Sequence, residues 1–415
     1  MPPRRRASVA APSTSLSAAV ASIADSFTGH LRTNIAVYVV AVLGVVAAHY
    51  FLGEAAVVRR MVAAFEDGGV QVGLWAPSLP WDVEFRANDA LATVLRPELV
   101  ANLTALLRPE RTAQYALVVG ESGTGKSTAV RNTVRSLPSP KGTIYFSTPE
   151  LVASFSSDLA RAVGYAPPYD PLASVFGWLG GQASSARAGG VAWPELSHAL
   201  QEAATRFHAK HARPAVLVID AADFVAKEDS HFLEQLQNFA KVCADIGTLR
   251  VIFVSSDGSL LPVMCASSAW SRVLKPSFEV QGIGDGDAIE YLLGRDMARS
   301  VAEEAVRTIT GGRFSLLIDV ASAAANKPIA GIREELDDRT QSELMVLKIS
   351  PTHALFRALI AKGRVMSAKA REHLPVDVLA ALVKANIMAL HPDGAYTVHA
   401  RHVESFLRGQ VANLG

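Results

Sequence analysis

The sequence predicts an α/β protein built on a parallel sheet, with one N-terminal transmembrane helix before it. Three observations carry this. Short apolar runs, YALVVG (115–120), TIYFS (143–147), AVLVID (215–220), RVIFVSS (250–256) and SFEVQ (277–281), recur with helical stretches between them. That is how strands buried on both faces of a parallel sheet read. GESGTGKS (120–127) follows the first run and opens the helix-competent stretch KSTAVRNTVRSL. Finally, TNIAVYVVAVLGVVAAHYFLG carries no charge over the 21 residues between Arg32 and Glu54, against the roughly 20 that cross a bilayer.

Composition narrows the function classes. Of 415 residues, 50% are hydrophobic, which excludes a disordered chain. Lys and Arg number 40 against 39 Asp and Glu, so no overall cationic field draws the chain to nucleic acid or anionic lipid. Two cysteines, Cys243 and Cys265, cannot build a disulfide framework and have no Cys/His cluster around them for a structural zinc.

Taken in order, residues 1–34 place Arg4, Arg5, Arg6 and Arg32 against one acid, Asp25, in an Ala/Ser/Thr/Pro background, the composition of a targeting segment. Residues 35–53 are expected to form the transmembrane helix. A secretory signal fits less well, because its apolar region runs about 7–15 residues and starts nearer the N-terminus; a buried core helix is the other bland reading. The expected location is therefore the mitochondrial inner membrane, single-pass, with a plastid or an unanchored form as fallback. Residues 54–85, including LWAPSLPWD, form a connector, and a helical pattern runs from Asn88 to Leu107. The stretch 180–190, GGQASSARAGG, reads as a surface loop.

Gly120, Gly125, Lys126 and Ser127 satisfy G-x-x-x-x-G-K-[ST], with Glu121, Ser122, Gly123 and Thr124 filling the loop and Thr128 following it. The strand–loop–helix setting is the one this motif needs to cradle phosphates: backbone N–H groups turn inward and the helix N-terminus adds its positive dipole end. The alternative, a Gly-rich turn with an exposed lysine, does not require that setting. Lys126 is then the cation for the β- and γ-phosphates, and Ser127 supplies a hydroxyl to Mg²⁺. Asp220, closing the apolar strand AVLVID, is the second metal-site residue; a strand-ending Asp that caps the next helix is its bland counterpart. The expected ligands are ATP and Mg²⁺.

This order of motifs resembles the AAA+/STAND P-loop NTPases, within them the archaeal-type and origin-recognition-like group, over roughly residues 86–340. With its C-terminal segment the chain resembles membrane-anchored fungal-type ATPases that end in a winged helix. The resemblance implies a core over 86–284, a lid over 285–349 and a winged helix over 350–415. It also implies an acidic base after the metal-binding Asp, where this chain has Ala221. Asp223 is the nearest replacement, so two readings stay open: hydrolysis through Asp223, or ATP as a conformational switch with slow turnover. The resemblance further implies a polar sensor at Ser256 or Ser255, an arginine presented to a neighbour's nucleotide at Arg272, and a second sensor at Arg313 after the Gly311–Gly312 turn. A solvated strand-edge charge is the alternative for Arg272, and a glycine cap for the Gly–Gly turn. An arginine acting in trans implies a homo-oligomer.

Residues 350–415 read helix, helix, helix, then a hairpin with its turn at Pro392-Asp393-Gly394. The candidate recognition helix, PVDVLAALVKAN, offers Lys384 and no Arg, Asn or Gln in its N-terminal half to read base edges. Sequence-specific nucleic-acid binding is therefore not expected; packing on the ATPase core or on a protein partner is. The functional expectation is a membrane-anchored ATPase that drives a conformational change in itself or a partner. A non-hydrolysing scaffold is the rival, and a DNA-handling loader the third class.

Overall fold

The computed structural model describes residues 37, 53–71, 96–166, 190–256 and 260–412. Two compact units divide the chain, one of 1–57 with 168–186 and one of 58–167 with 187–415. The account below concerns the second. The targeting segment, nearly all of the expected transmembrane helix, residues 72–85 of the connector and most of the 180–190 loop lie outside the described residues.

Six parallel strands form the central sheet in the order β1-β3-β4-β5-β2-β6: β1 (Gly69–Gln71), β2 (Ala116–Val119), β3 (Thr143–Ser147), β4 (Ala215–Asp220), β5 (Leu249–Val254) and β6 (Phe278–Glu279). The five apolar runs supply β2 to β6. β1 is a strand that the connector reading did not anticipate; its three residues are too few for periodicity to mark. All six residues of β4 are buried, including its terminal aspartate. Such two-sided burial makes the strand a continuous apolar run rather than an alternating one.

The helix of residues 53–67, α1, and α2 (Pro97–Leu107) precede the phosphate loop. α3 (Lys126–Ser136) leaves that loop and packs with α2 on one face of the sheet, where Leu103, Leu107, Val130, Val134, Tyr145, Val218 and Val254 form a core. Each such side chain contributes roughly 1.5–3 kcal/mol on burial. α4 (Phe155–Ala162), α5 (Trp193–His211), α6 (Asp223–Glu228) and α7 (Ser230–Ile246) follow. Phe155, Trp193, Phe232 and Phe239 stack edge to face at centroid distances of 5.2–6.3 Å, the arrangement the ring quadrupoles favour.

α8 (Leu260–Ala266) leads toward β6. α9 (Asp285–Leu293), α10 (Arg299–Ala305), α11 (Phe314–Ala323) and α12 (Ile329–Val346) make a helical layer with its own core of Tyr291, Leu292, Ile309, Leu317 and Ile332. A C-terminal module succeeds it: α13 (Ala354–Lys362), β7 (Val365–Met366), α14 (Ser367–Arg371), α15 (Val376–Lys384), β8 (Met388–Leu390), β9 (Ala395–Val398) and α16 (Arg401–Ala412). Its antiparallel sheet runs β7-β9-β8. The β8–β9 turn is closed by Gly394 N–H on the His391 carbonyl at 2.9 Å, with Gly394 at φ 81°.

The expected single-pass mitochondrial membrane location is corrected. Among the described residues no helix is long and apolar enough to cross a membrane. α1, into which the apolar 35–53 segment leads, is amphipathic. Glu54, Arg59, Arg60, Glu66 and Asp67 lie along it, and Met61 and Phe65 are fully buried in the protein core. Its apolar stripe is thus matched by protein rather than lipid.

Candidate functional site: a phosphate loop under a lid

The carboxyl ends of β2, β4 and β5 adjoin one another, because β5 lies between the other two in the sheet. The open α/β rule places ligands at that edge, and the candidate residues gather there. β2 ends at Val119 and the loop 120–125 turns into α3. Gly125 is the N-cap, at φ 84°, a left-handed conformation that costs a side-chain-bearing residue about 1–2 kcal/mol. No side chain caps this N-terminus, so the positive end of α3 faces the loop. Lys126, 3% exposed, folds back to donate from Nζ to the Glu121 carbonyl at 2.7 Å. Thr124 donates from its hydroxyl to the same carbonyl at 2.9 Å. Ser127 and Thr128 sit half-buried in the first turn of α3, and Ser122 is exposed at the loop crest.

Asp220, 3% exposed, closes β4. Its Oδ1 accepts the Ala221 N–H at 2.8 Å, and its Oδ2 accepts the hydroxyl of Tyr145 from the neighbouring strand. The Tyr145 phenol is pushed well above its ordinary pKa, first by burial and then by the Asp220 charge, so it stays a donor. Ala221 occupies φ 54°. The chain therefore turns sharply after Asp220 and brings Asp223 toward β5. There, the Ser255 hydroxyl donates to Asp223 Oδ1 and the Ser256 N–H to Oδ2, both at 2.6 Å. Asp223 and the two sensor candidates thus form one hydrogen-bonded unit near Asp220.

Arg313, 6% exposed, stands at the N-cap of α11 and reaches across to the loop. Its Nη1 donates to the Ser122 carbonyl at 2.8 Å and its Nη2 forms an ion pair with Glu121. Burial lowers its pKa to about 10, which still leaves it charged at neutral pH. Ser315 N–H donates to the Gly123 carbonyl at 3.2 Å, and the Ile283 N–H to the Gly312 carbonyl at 2.9 Å. Gly312 lies so close to residue 283 that a Cβ there would meet the Ile283 carbonyl oxygen at 1.7 Å. The turn is therefore a packing device as well as a helix punctuation.

Arg272 lies elsewhere. Its Nε pairs with Asp245 at 2.6 Å, and its carbonyl accepts the Tyr115 N–H at the opposite end of β2 from the phosphate loop. Within one chain it does not join the site, and the role given to it in trans requires a second copy.

Sequence reasoning missed four contributors. Tyr145 read as strand core, and its hydroxyl was the signal available. Arg96 donates to the Thr124 carbonyl at 2.9 Å and the Gln281 carbonyl at 2.5 Å; nothing in its local pattern marks it. His391 and Thr397, flanking the hairpin turn, approach Glu121 Oε1 at 3.9 and 3.5 Å, and His391 Nδ1 bonds Glu279 at 2.6 Å. These contacts join Glu121 to residues 391 and 397, up to 276 residues away in sequence, so no local pattern encodes them. A cleft results, lined by Gly120, Glu121, Ser255, Ser256, Glu279 and His399 among others.

Two largely buried imidazoles, His399 and His402, stand near Arg313. His399 Nε2 lies 3.2 Å from Arg313 Nη1, which donates to it. Burial, then the charges of Arg313, His402 and Lys126, lower the His399 pKa to about 2. Burial and Arg313 lower that of His402 to about 4. Both are depressed below the ordinary 6.5, so the unfolded chain takes up protons first. Their penalty is absent above pH 6.5 and grows as pH falls, at most about 1.4 kcal/mol per unit for each ring. Between pH 6 and 5 the pair should remove about 2 kcal/mol of stability. Replacing both by Gln should flatten that part of a plot of melting temperature against pH; an unchanged slope would assign acid sensitivity to other groups.

Residues 109–264 match the AAA domain profile. A search of curated protein sequences finds no match. Among solved structures the chain is similar to a Walker-type ATPase of Pyrococcus abyssi, at 18% identity and TM-score 0.49, covering 75% of this chain and 95% of that one. It is also similar to Cdc6p of Pyrobaculum aerophilum, at 11% identity and TM-score 0.36, covering 85% and 98%. The ORC2 protein of Aeropyrum pernix, in ADPNP and ADP complexes, gives 11% and 0.39 with the same coverage. Residues 109–264, which hold the phosphate-loop motif and strands β2 to β5, are thus the part of the chain that matches an AAA domain.

Proposed function

We propose that the protein is an ATP-driven switch of the AAA type, in which Mg-ATP rearranges the contacts joining the phosphate loop, the helical lid and the C-terminal module, and the module passes that change to a protein partner. The observation that carries this is the position of Glu121. Its carboxylate, inside the phosphate loop, is held by Arg313 from the lid and approached by His391 and Thr397 from the hairpin. One residue of the loop therefore meets both movable parts.

The residues fit the ligands. Gly120 has no room for a side chain, since a Cβ would meet the Val280 carbonyl oxygen at 2.2 Å, so the backbone itself lines the loop there. Ser127 and Asp220 are an oxygen-donor pair of the kind Mg²⁺ uses. Bound there, Mg²⁺ neutralises phosphate charge. Lys126 binds the β- and γ-phosphates by leaving the Glu121 carbonyl. Arg313, now on Glu121, would be the cation to hold a phosphate oxygen, and in leaving Glu121 it would loosen the hairpin's contact with the loop. A ligand moves such an equilibrium only through unequal contacts in the two states, and this exchange supplies them.

Order within residues 350–412, helix, strand, two helices, hairpin and helix, supports a winged-helix reading of the module. Its hairpin is engaged on the phosphate loop and its α15 begins Val376-Asp377, an acidic start that phosphates repel. A protein partner fits better than a DNA duplex. Arg272, exposed and paired with Asp245 alongside it, is the residue for a neighbouring copy in a homo-oligomer.

Slow turnover is favoured by one specific observation, the engagement of both Asp223 oxygens by Ser255 and Ser256. Asp223→Asn is expected to leave Mg-ATP affinity within about threefold and to lower steady-state turnover by about 100-fold, the scale of a lost general base. Unchanged turnover would remove Asp223 from the chemistry. Loss of Mg-ATP binding in the unmodified protein would end the proposal as a whole.

A further inference from the structure

We infer that Tyr145 is a positioning residue for the Mg²⁺ site, fixing the carboxylate of Asp220 from the adjacent strand. The inference rests on the reading of Ser127 and Asp220 as the metal pair. Tyr145 stands two residues before the end of β3, opposite Val218 in the ladder, while Ser147 pairs with Asp220. Its ring is 2% exposed and packs in the core with Val130 and Val134 of α3, the helix that issues from the phosphate loop. The ring cannot swing away without disturbing α3. Its hydroxyl ends on Asp220 Oδ2, and Asp220 Oδ1 is held by the Ala221 N–H at 2.8 Å.

Two fixed donors, one on each oxygen, lock the carboxylate's rotation about its terminal torsion. A carboxylate has about four lone-pair sites, so one on each oxygen is left for the metal or its water. Without the tyrosine hydroxyl, Oδ2 loses its fixed donor and the carboxylate must be oriented by the metal itself, at an entropic cost. Partners one step removed from a metal act in this way, and removing one typically costs 10- to 100-fold in metal affinity. The backbone contributes to the same clamp: Thr148 N–H donates to the Asp220 carbonyl at 3.0 Å, so side chain and main chain of Asp220 are both tied to β3 and its following turn.

Tyr145→Phe keeps the ring and removes only the hydroxyl. The full chain is titrated with a fluorescent ATP analogue in EDTA and then at increasing Mg²⁺, with the melting temperature recorded as a control for folding. In EDTA the variant should bind as the unmodified protein does. The Mg²⁺ concentration giving half of the metal-dependent gain in affinity should rise about tenfold. In an Asp220→Ala background the same substitution should have no further effect, because the phenol acts through that carboxylate. An equal Mg²⁺ midpoint in Tyr145→Phe and the unmodified protein overturns the inference. Equal losses in EDTA and Mg²⁺ also overturn it, since they mark a packing role. If the unmodified protein binds the analogue no better with Mg²⁺, it is the metal-site reading beneath the inference that fails.

Discussion

Lys126→Ala is expected to lower affinity for Mg-ATP by about 10- to 150-fold, the equivalent of the 1.5–3 kcal/mol carried by a hydrogen bond to a charged group. The ammonium is almost completely enclosed and sits within the loop on the Glu121 carbonyl. It is thus held beside the backbone that surrounds the phosphates, with little side-chain freedom left to lose on binding. Alanine keeps the helix propensity of the first turn of α3 and removes a buried charge, so the protein without nucleotide should melt within a few degrees of the original. The nucleotide-induced rise in melting temperature, which grows with the ratio of ligand to Kd, should nearly vanish at millimolar ATP. Calorimetric titration with and without Mg²⁺ gives the direct readout. Retained affinity would mean that Lys126 is a structural strut of the loop.

Gly312→Ala should be among the most damaging single-atom additions in the molecule. The added Cβ would lie 1.7 Å from the Ile283 carbonyl oxygen, a backbone atom that itself belongs to the Ile283–Gly312 hydrogen bond. Neither side can yield by rotating a side chain. The strand-to-lid connection and the turn into α11 must separate, and overpacking of this kind costs about 1–3 kcal/mol or more. Separation also withdraws Arg313 and Ser315 from the loop, so affinity for ATP should fall together with stability. A lower melting temperature with new protease cleavage near 311–315 would match this expectation. A variant with native stability would show that the lid is seated by its helices alone.

Much of the phosphate site is legible in sequence because its chemistry is local. Glycines at 120, 123 and 125, Lys126 and Ser127 occupy one turn of chain between a strand and a helix, and their roles follow from backbone geometry that neighbours in sequence impose. β2 to β5 are legible for a similar reason, each being a short, mostly buried apolar run, while β6, half-buried at the sheet edge, is the weaker run. β1 is not, since three residues carry no period. The 35–53 segment shows the opposite error. Apolar length suggested lipid, whereas among the described residues no helix is long and apolar enough to cross a membrane, and α1, the next described helix in sequence, buries Met61 and Phe65 in the protein core.

The sequence by itself determined the nucleotide-binding loop, the buried strand ending in Asp220, and the absence of Glu after it. Only tertiary structure decided what surrounds them. Tyr145 reaches Asp220 from the next strand, Ser255 and Ser256 clasp Asp223 across 32 and 33 residues, and Arg313, His391 and Thr397 converge on Glu121 from up to 276 residues away. The physical reason is the range of the forces involved. Turn geometry and strand burial act between neighbours in sequence. Hydrogen bonds and ion pairs act over a few ångströms of space, and which groups come within that reach is set by how sheet, lid and C-terminal module pack.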